Sequence, residues 1–213
     1  MQQNILRYIE CLILFFVLPC LLYFVRYQMA FRVFYLLFLM ASAGAIILLR
    51  DSSFDRRILW QGVQLGHLRS IVVIFLPVAI FLSIVTYAVL PDKFLAFPAS
   101  RPLVWLIIML LYPILLALPQ ELLFRCSFFQ RYRGLFKDKP ARLIVLNALS
   151  FGLAHLFYGN WVAPVLSFFG GMLFAWRYHV SQSLFTVGLE HALWGNFLFT
   201  IGIGWYFYSG AIA

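Results

Sequence analysis

The sequence predicts an all-α, polytopic bundle of six to eight transmembrane helices. Three observations lead to this prediction: 64% of the 213 residues are hydrophobic, only 11% are charged, and the apolar residues are grouped into separate runs. A typical soluble domain carries about 25% charged residues, so this chain lacks the polar surface that a soluble globule needs. Three cysteines without a CxxC pair also exclude a secreted disulfide scaffold.

The apolar runs follow one another with short polar connections. The first four approach the roughly 20 residues that a helix needs to cross a bilayer, and the fifth and sixth are short, as expected inside a bundle. The last is interrupted at Gly195-Asn196, which predicts one kinked helix or two short ones. The runs cover residues 9–25, 33–49, 71–90, 103–124, 143–157, 162–176 and 184–208. We find no repeat and no linker, so we expect one membrane-embedded domain, 1–213, with a motif-bearing core at 103–208.

The basic residues predict the orientation. Most Lys and Arg residues, Arg125 and Arg177 among them, lie in the N-terminal segment and in the even-numbered connections, and only Arg26, Arg32, Lys93 and Arg101 fall on the opposite side. The positive-inside rule therefore places the N-terminus in the cytoplasm, and we expect an integral protein of the plasma (inner) membrane. The net charge of +9 then reflects orientation and contact with anionic lipids. The expected partners are membrane lipids and not nucleic acid.

A few ionisable residues lie inside the apolar runs or at their ends, where an unpaired charge costs several kcal/mol. Glu121 and Arg125 are four residues apart, so they share one helical face and can form an ion pair. Such a pair has a purely structural interpretation, as a clamp on the helix end. His155 and His191 lie in two later runs. A single buried histidine is more often a packing residue than a catalyst, but two histidines and a carboxylate are harder to explain by packing.

A geometric argument connects the glutamate with the first histidine. Gly134 is typical of a helix end and Pro140 of a helix start, so residues 134–141 are the predicted tip of a helical hairpin. Glu121 and His155 each lie about 20 Å from that tip at 1.5 Å per residue, and we expect them to face each other. A carboxylate and an imidazole at one depth can activate a water molecule. With His191 they could equally supply three zinc ligands.

These residues resemble the CPBP family of intramembrane proteases, which includes CAAX-prenyl proteases and bacteriocin-processing proteins. The resemblance rests on three motifs that occur in order: Gln120-Glu121-x-x-x-Arg125, Phe151-x-x-x-His155, and His191 with Asn196. It implies about eight membrane helices around a water-accessible polar cavity. It also implies hydrolysis of a peptide bond in a membrane-associated or prenylated substrate.

The resemblance also implies roles for individual residues. Glu121 and His155 would activate the water, while His191 and Asn196 would stabilise the oxyanion. Gln120, Arg125 and Phe151 would support them, with Arg125 orienting Glu121. This mechanism needs no cofactor. An older interpretation of the same motifs makes them a zinc site, with Glu121, His155 and His191 as the ligands.

The chain departs from the family pattern at two positions. Gln120 stands where the family has a first glutamate, and an amide cannot accept a proton at neutral pH. The family has asparagine four residues after the second histidine, whereas here Gly195 takes that position and Asn196 follows it. On a regular helix this moves the side chain about 100° around the axis. Only a bulge or break at Gly195 would return Asn196 to the site.

The predicted function is therefore an intramembrane endopeptidase of CAAX type, by either a glutamate or a zinc mechanism. Its alternative is a membrane binding or immunity protein on the same fold, which holds a partner without cutting it. A transporter or channel would also bury charges, but we see no inverted repeat and no matched pair of broken helices.

Overall fold

The protein is an all-α bundle, as predicted. The computed structural model describes residues 2–29, 32–136 and 139–207, and no strand occurs among them. Lys137 and Asp138 of the predicted hairpin tip, and Tyr208 at the end of the last apolar run, lie outside the described residues. Five helical segments are long and apolar enough to cross a membrane: Asn4–Phe24, Arg32–Arg50, Leu65–Val89, Pro102–Phe136 and Pro140–Tyr158. The membrane-protein prediction is confirmed on this basis.

We number the α-helices in chain order and treat the shorter helical turns as connections between them. The helices are α1 (Gln2–Leu12), α2 (Leu18–Phe24), α3 (Arg26–Met29), α4 (Arg32–Arg50), α5 (Leu65–Val89), α6 (Ala96–Ser100), α7 (Pro102–Tyr112), α8 (Leu118–Glu121), α9 (Phe128–Tyr132), α10 (Pro140–Ala154), α11 (Val162–Ser181) and α12 (Leu184–Ile201). The π-helical turns are Ile13–Val17, Pro113–Ala117 and Leu122–Ser127. The 3₁₀ turns are Arg56–Leu59, Arg133–Phe136, His155–Tyr158 and Ile203–Phe207.

Helices α10 and α11 pack closely because glycines lie at their contact. A Cβ atom on Gly171 would lie 3.1 Å from the backbone of Ala148, and one on Gly152 would lie 3.0 Å from the carbonyl oxygen of Pro164. Small residues allow membrane helices to approach to this distance. The contact fixes α10, which ends just before His155, against α11.

The predicted hairpin between Glu121 and His155 is present, but its first arm is longer than expected. The helical segment of that arm runs from Pro102 to Phe136 and contains two π-helical turns. Its end is held against α1, because Arg131 and the hydroxyl of Tyr132 both hydrogen-bond Glu10. The segment therefore continues past residue 124, where the sequence predicted a basic connection.

The prediction of a break at Gly195 is wrong. Helix α12 runs unbroken from Leu184 to Ile201 and ends at Gly202, which has a φ of 100°. That left-handed conformation is accessible to glycine without strain, so the helix ends there. Gly195 serves instead as a contact point for another helix, as described below.

Arg177 was expected in a cytoplasmic connection, and this is also wrong. It lies within α11 with 1% of its surface exposed, and its guanidinium group binds both carboxylate oxygens of Glu190 on α12, at 2.7 and 3.2 Å. The guanidinium also donates to the hydroxyl of Ser70 on α5, at 3.2 Å. A buried charge requires a partner of opposite sign, and the short turn between α11 and α12 brings the two together.

Candidate active site

The Glu121 carboxylate lies at the end of α8, with no exposed surface, and contacts two partners. One oxygen, Oε1, is 2.6 Å from Nδ1 of His191 on α12. The other, Oε2, is 2.9 Å from Nε of Arg125, an ion-pair contact whose angle falls outside hydrogen-bond geometry. Because an ionised carboxylate only accepts hydrogen bonds, His191 carries a proton on Nδ1. The carboxylate thus fixes both the orientation and the tautomer of this imidazole.

Arg125 is part of the buried site and not of a connection, contrary to the sequence-based count of loop charges. Its guanidinium group is fully buried and lies 4.4 Å from the ring centre of Phe151 and 5.5 Å from that of Phe174. Its terminal nitrogens have no hydrogen-bond acceptor among the described residues. Glu121 therefore supplies the negative charge that this buried cation needs.

His191 is held on four sides. Its ring is stacked on Phe174, with the centroids 4.7 Å apart and an interplanar angle of 20°, and Phe151 approaches it edge-on. Glu121 binds Nδ1, and the hydroxyl of Tyr112 lies 3.0 Å from Nε2. Such a ring has little freedom to rotate.

His155 is held differently and keeps one nitrogen available. Its Nδ1 is 2.8 Å from the backbone carbonyl oxygen of Phe151, and a carbonyl can only accept, so Nδ1 is the donor. The neutral ring then carries a lone pair on Nε2, the form that can accept a proton from water. Phe151 also packs against this ring, with 4.7 Å between the centroids.

Both histidines line a cavity of about 470 Å³ inside the bundle. Most of its wall is apolar, and the polar side chains in it include Gln120, Tyr112 and Ser167. Gln120, His155 and Tyr158 also line a second cavity of about 110 Å³ beside the π-helical turn Ile13–Val17, α2 and α4. The side-chain oxygen of Gln120 is buried without a hydrogen-bond partner among the described residues. The two cavities therefore share a polar wall.

The larger cavity extends to the outer surface of the bundle. Val78 of α5 and Phe169 of α11 both line it, and both are exposed on the outside of the protein. Since α5 is one of the five segments long and apolar enough to cross a membrane, the cavity reaches the surface beside a candidate membrane span.

The structure brings together most of the residues that the sequence singled out. Glu121 contacts Arg125 and His191, and both of these contact Phe151. His155 joins the group through Phe151. The Glu121 carboxylate faces His191 and is absent from the described lining of either cavity. Of the adjacent pair in the first motif, Gln120 faces the cavity.

Asn196 lies apart from this cluster. Its amide nitrogen donates a hydrogen bond to the backbone carbonyl oxygen of Met109 on α7, at 3.0 Å. Because α12 has no bulge at Gly195, the extra residue turns this side chain towards α7. Asn196 thereby holds α12 against α7.

The proposed zinc ligands do not converge. Both oxygens of Glu121 contact other side chains, and Glu121 is not among the residues that line the cavity shared by the two histidines. Within the described part of the chain, no group of three His, Cys, Asp or Glu side chains could hold a metal ion. The residues in this conformation do not fit a three-ligand zinc site.

Two residues of the site were missed from the sequence, Tyr112 and Phe174. An apolar run gives no pattern that distinguishes a phenylalanine stacked on a histidine from one that faces lipid. The sequence feature that could have indicated Tyr112 is Gly195, the residue one helical turn after His191. A glycine at that position leaves room for a side chain from another helix, and the Tyr112 ring fills it.

A comparison with protein families shows to which family the chain belongs. The family described as Type II CAAX prenyl endopeptidase Rce1-like matches residues 102–208, which is half of the 213 residues. The chain belongs to the Rce1-like family. No curated protein and no solved structure matches it.

Membership of the Rce1-like family confirms the resemblance inferred from the three motifs. The matched segment begins at α7 and includes Tyr112, Glu121, His155 and His191. The family is one of CAAX-type intramembrane endopeptidases, so a protease acting on membrane-associated peptide or protein substrates is its general description. In this Rce1-like protein the matched segment also contains the buried cluster and most of the cavity wall.

Proposed function

We propose that the protein is an intramembrane endopeptidase that hydrolyses a peptide bond in a membrane-associated, CAAX-type prenylated substrate. One observation carries the proposal: two imidazoles, each with its Nδ1 bound to an acceptor, line one apolar cavity inside the membrane bundle. Family membership supports the same reaction.

His155 acts as the general base in this proposal. Its Nε2 lone pair takes a proton from water as the oxygen attacks the carbonyl carbon of the scissile bond. The resulting imidazolium then gives that proton to the leaving amine, and the ring returns to its starting form. Hydrolysis needs no other proton donor, and no step in it requires a metal ion.

Glu121 and His191 stabilise the oxyanion, the negative charge that develops on the carbonyl oxygen during the attack. The Glu121 carboxylate does not contact the water but holds Nδ1 of His191 at 2.6 Å. The charges of Glu121 and Arg125 balance each other, so the positive potential where negative charge develops comes from the His191 ring when its Nε2 also carries a proton. Asn196 supports the reaction only by holding α12 against α7.

The cavity supports the substrate class. Its volume of about 470 Å³ lies in the range of ligand sites, about 300–1,000 Å³. An isoprenoid chain is apolar and reaches a membrane enzyme from the lipid, which suits a mostly apolar wall that extends to exposed Val78 and Phe169. The unpartnered oxygen of Gln120 can accept a hydrogen bond from a substrate amide.

The test of this function is cleavage of a fluorogenic farnesylated peptide by purified protein in lipid nanodiscs. We expect His155→Ala to lower kcat/KM by about 100-fold, the contribution of a general base. His179→Ala is the matched control, because His179 is exposed on α11. EDTA should leave the rate unchanged. Equal rates for wild type and His155→Ala would refute the proposal.

The alternative, a protein that binds a membrane partner without cutting it, is favoured by one observation. Gln120 presents an amide to the cavity beside His155, where a carboxylate could take part in proton transfer.

We expect the wild type to cleave and Gln120→Glu to raise kcat/KM by about 10-fold, since a second carboxylate strengthens the base. Gln64→Glu, at an exposed position before α5, controls for the added charge. Cleavage by Gln120→Glu alone would favour the binding protein.

We also propose that the protein resides in the plasma (inner) membrane with its N-terminus in the cytoplasm. Arg125 and Arg177 are buried and no longer count as charges of the connections. The remaining Lys and Arg residues are still more numerous on the side predicted to be cytoplasmic. Exposed members of that group include Arg50, Arg56, Arg57 and Arg133. The positive-inside rule depends on such residues in short connections.

A further inference from the structure

A line of polar contacts joins α7 to α12 and ends at the candidate active site. Each contact links a residue of α7 with one of α12, and successive contacts lie about one helical turn apart. They are Trp105 Nε1 to the Thr200 hydroxyl, Asn196 Nδ2 to the Met109 carbonyl oxygen, and the Tyr112 hydroxyl to His191 Nε2, all at 3.0 Å. The first two fix the position of α7, and so they fix where Tyr112 points.

Gly195 makes the last contact possible. A Cβ atom at this position would lie 2.2 Å from Cε1 of Tyr112 and 2.3 Å from its hydroxyl oxygen, distances that no side chain tolerates. The Tyr112 ring thus crosses α12 where the helix has no side chain, one turn after His191. Tyr112 also ends α7 directly before the π-helical turn Pro113–Ala117.

The hydroxyl of Tyr112 has two possible hydrogen-bond roles, and His191 selects between them. Nδ1 of His191 is a donor to Glu121, so in the neutral ring Nε2 accepts from the tyrosine. When the ring also carries a proton on Nε2, it donates to the tyrosine oxygen instead. The hydroxyl hydrogen is then free to point into the cavity that Tyr112 lines.

We propose that Tyr112 is a catalytic residue of this site, whose hydroxyl donates a hydrogen bond to the carbonyl oxygen of the scissile bond. The inference rests on the proposed function and names the atom that contacts the oxyanion. His191 acts here with a proton on each ring nitrogen, keeps both protons and orients the hydroxyl, so no proton is transferred in this contact. Glu121 acts on the oxyanion through His191 and Tyr112, and Gly195 admits the ring.

The experiment compares wild type with Tyr112→Phe, which keeps the ring that packs across Gly195. We expect kcat for a farnesylated peptide to fall about 100-fold with KM nearly unchanged, as on loss of one oxyanion donor. The second measurement is binding of a phosphinate analogue of that peptide, whose anionic tetrahedral centre mimics the oxyanion. Its affinity should fall by the same factor as kcat/KM. Tyr35→Phe, on an exposed residue of α4, should change neither.

The two measurements separate the inference from the proposed function. If Tyr112→Phe binds the phosphinate and cleaves the peptide as the wild type does, the role of Tyr112 is refuted and the protease stands. A change in KM alone also refutes it. If the wild type binds the phosphinate without cleaving the peptide, and only Tyr112→Phe loses that binding, the proposed function fails while the Tyr112 contact is supported.

Discussion

Replacing Glu190 by glutamine is expected to lower the free energy of unfolding by about 3–5 kcal/mol, the usual cost of removing one partner of a buried ion pair. The substitution keeps the shape of the side chain and removes only its charge. Arg177 would then remain in the bundle with 1% of its surface exposed and no counter-ion. Titration of the purified protein with SDS in mixed micelles measures the difference.

Two further variants identify the cause. Arg177→Met combined with Glu190→Leu removes both charges, and we expect it to recover most of the lost stability because no buried charge is left unpaired. Asp55→Asn is the control at an exposed pair, where the side chains of Arg57 and Asp55 are 86% and 47% exposed. Such pairs contribute at most about 1 kcal/mol. A loss in the control as large as that in Glu190→Gln would contradict the argument.

Replacing Glu121 by glutamine is expected to lower kcat/KM by about 1,000-fold. A glutamine has the same shape, but its neutral amide no longer fixes the proton on Nδ1 of His191, and in a serine-protease triad the equivalent change costs about 10,000-fold. The negative charge that balances Arg125 is lost as well. Cleavage of the farnesylated peptide in nanodiscs measures the effect on activity.

The loss of folding must be separated from the loss of chemistry in this variant. Glu121→Gln combined with Arg125→Met leaves no unpaired buried charge, so its stability in SDS should lie close to that of the wild type. Its activity should remain low, because His191 still lacks the carboxylate. Recovery of activity along with stability would show that Glu121 is needed only for the fold.

Much of the fold could be predicted because it follows from composition and from spacing along the chain. Apolar runs separated by polar connections predicted the helices, and the four-residue spacing of Glu121 and Arg125 predicted their ion pair. What failed was the assignment of charged residues to the surface. Arg125 and Arg177 are buried because each meets a carboxylate, and this pairing requires the packed bundle.

The sequence predicted which residues form the site, but not which of them contact one another. The hairpin argument gave the level of Glu121 and His155 along their helices, but not the rotation of either side chain about its axis. Glu121 therefore meets His191, a residue of a third helix, while His155 binds the carbonyl of Phe151. The rotation depends on two π-helical turns, which leave no mark in an apolar sequence.

The π-helical turn Leu122–Ser127 lies between two attachments of one helical segment. Glu121, before it, is bonded to α12, and Arg131, after it, is bonded to α1. A π-helical turn contains one residue more than the α-helical turn it replaces, and one residue corresponds to about 100° of rotation. Loss of any single residue there would turn Arg131 away from Glu10 or Glu121 away from His191. When related chains are aligned, a one-residue gap in this stretch therefore indicates that one of these contacts between helices is lost. This holds even where every motif is intact.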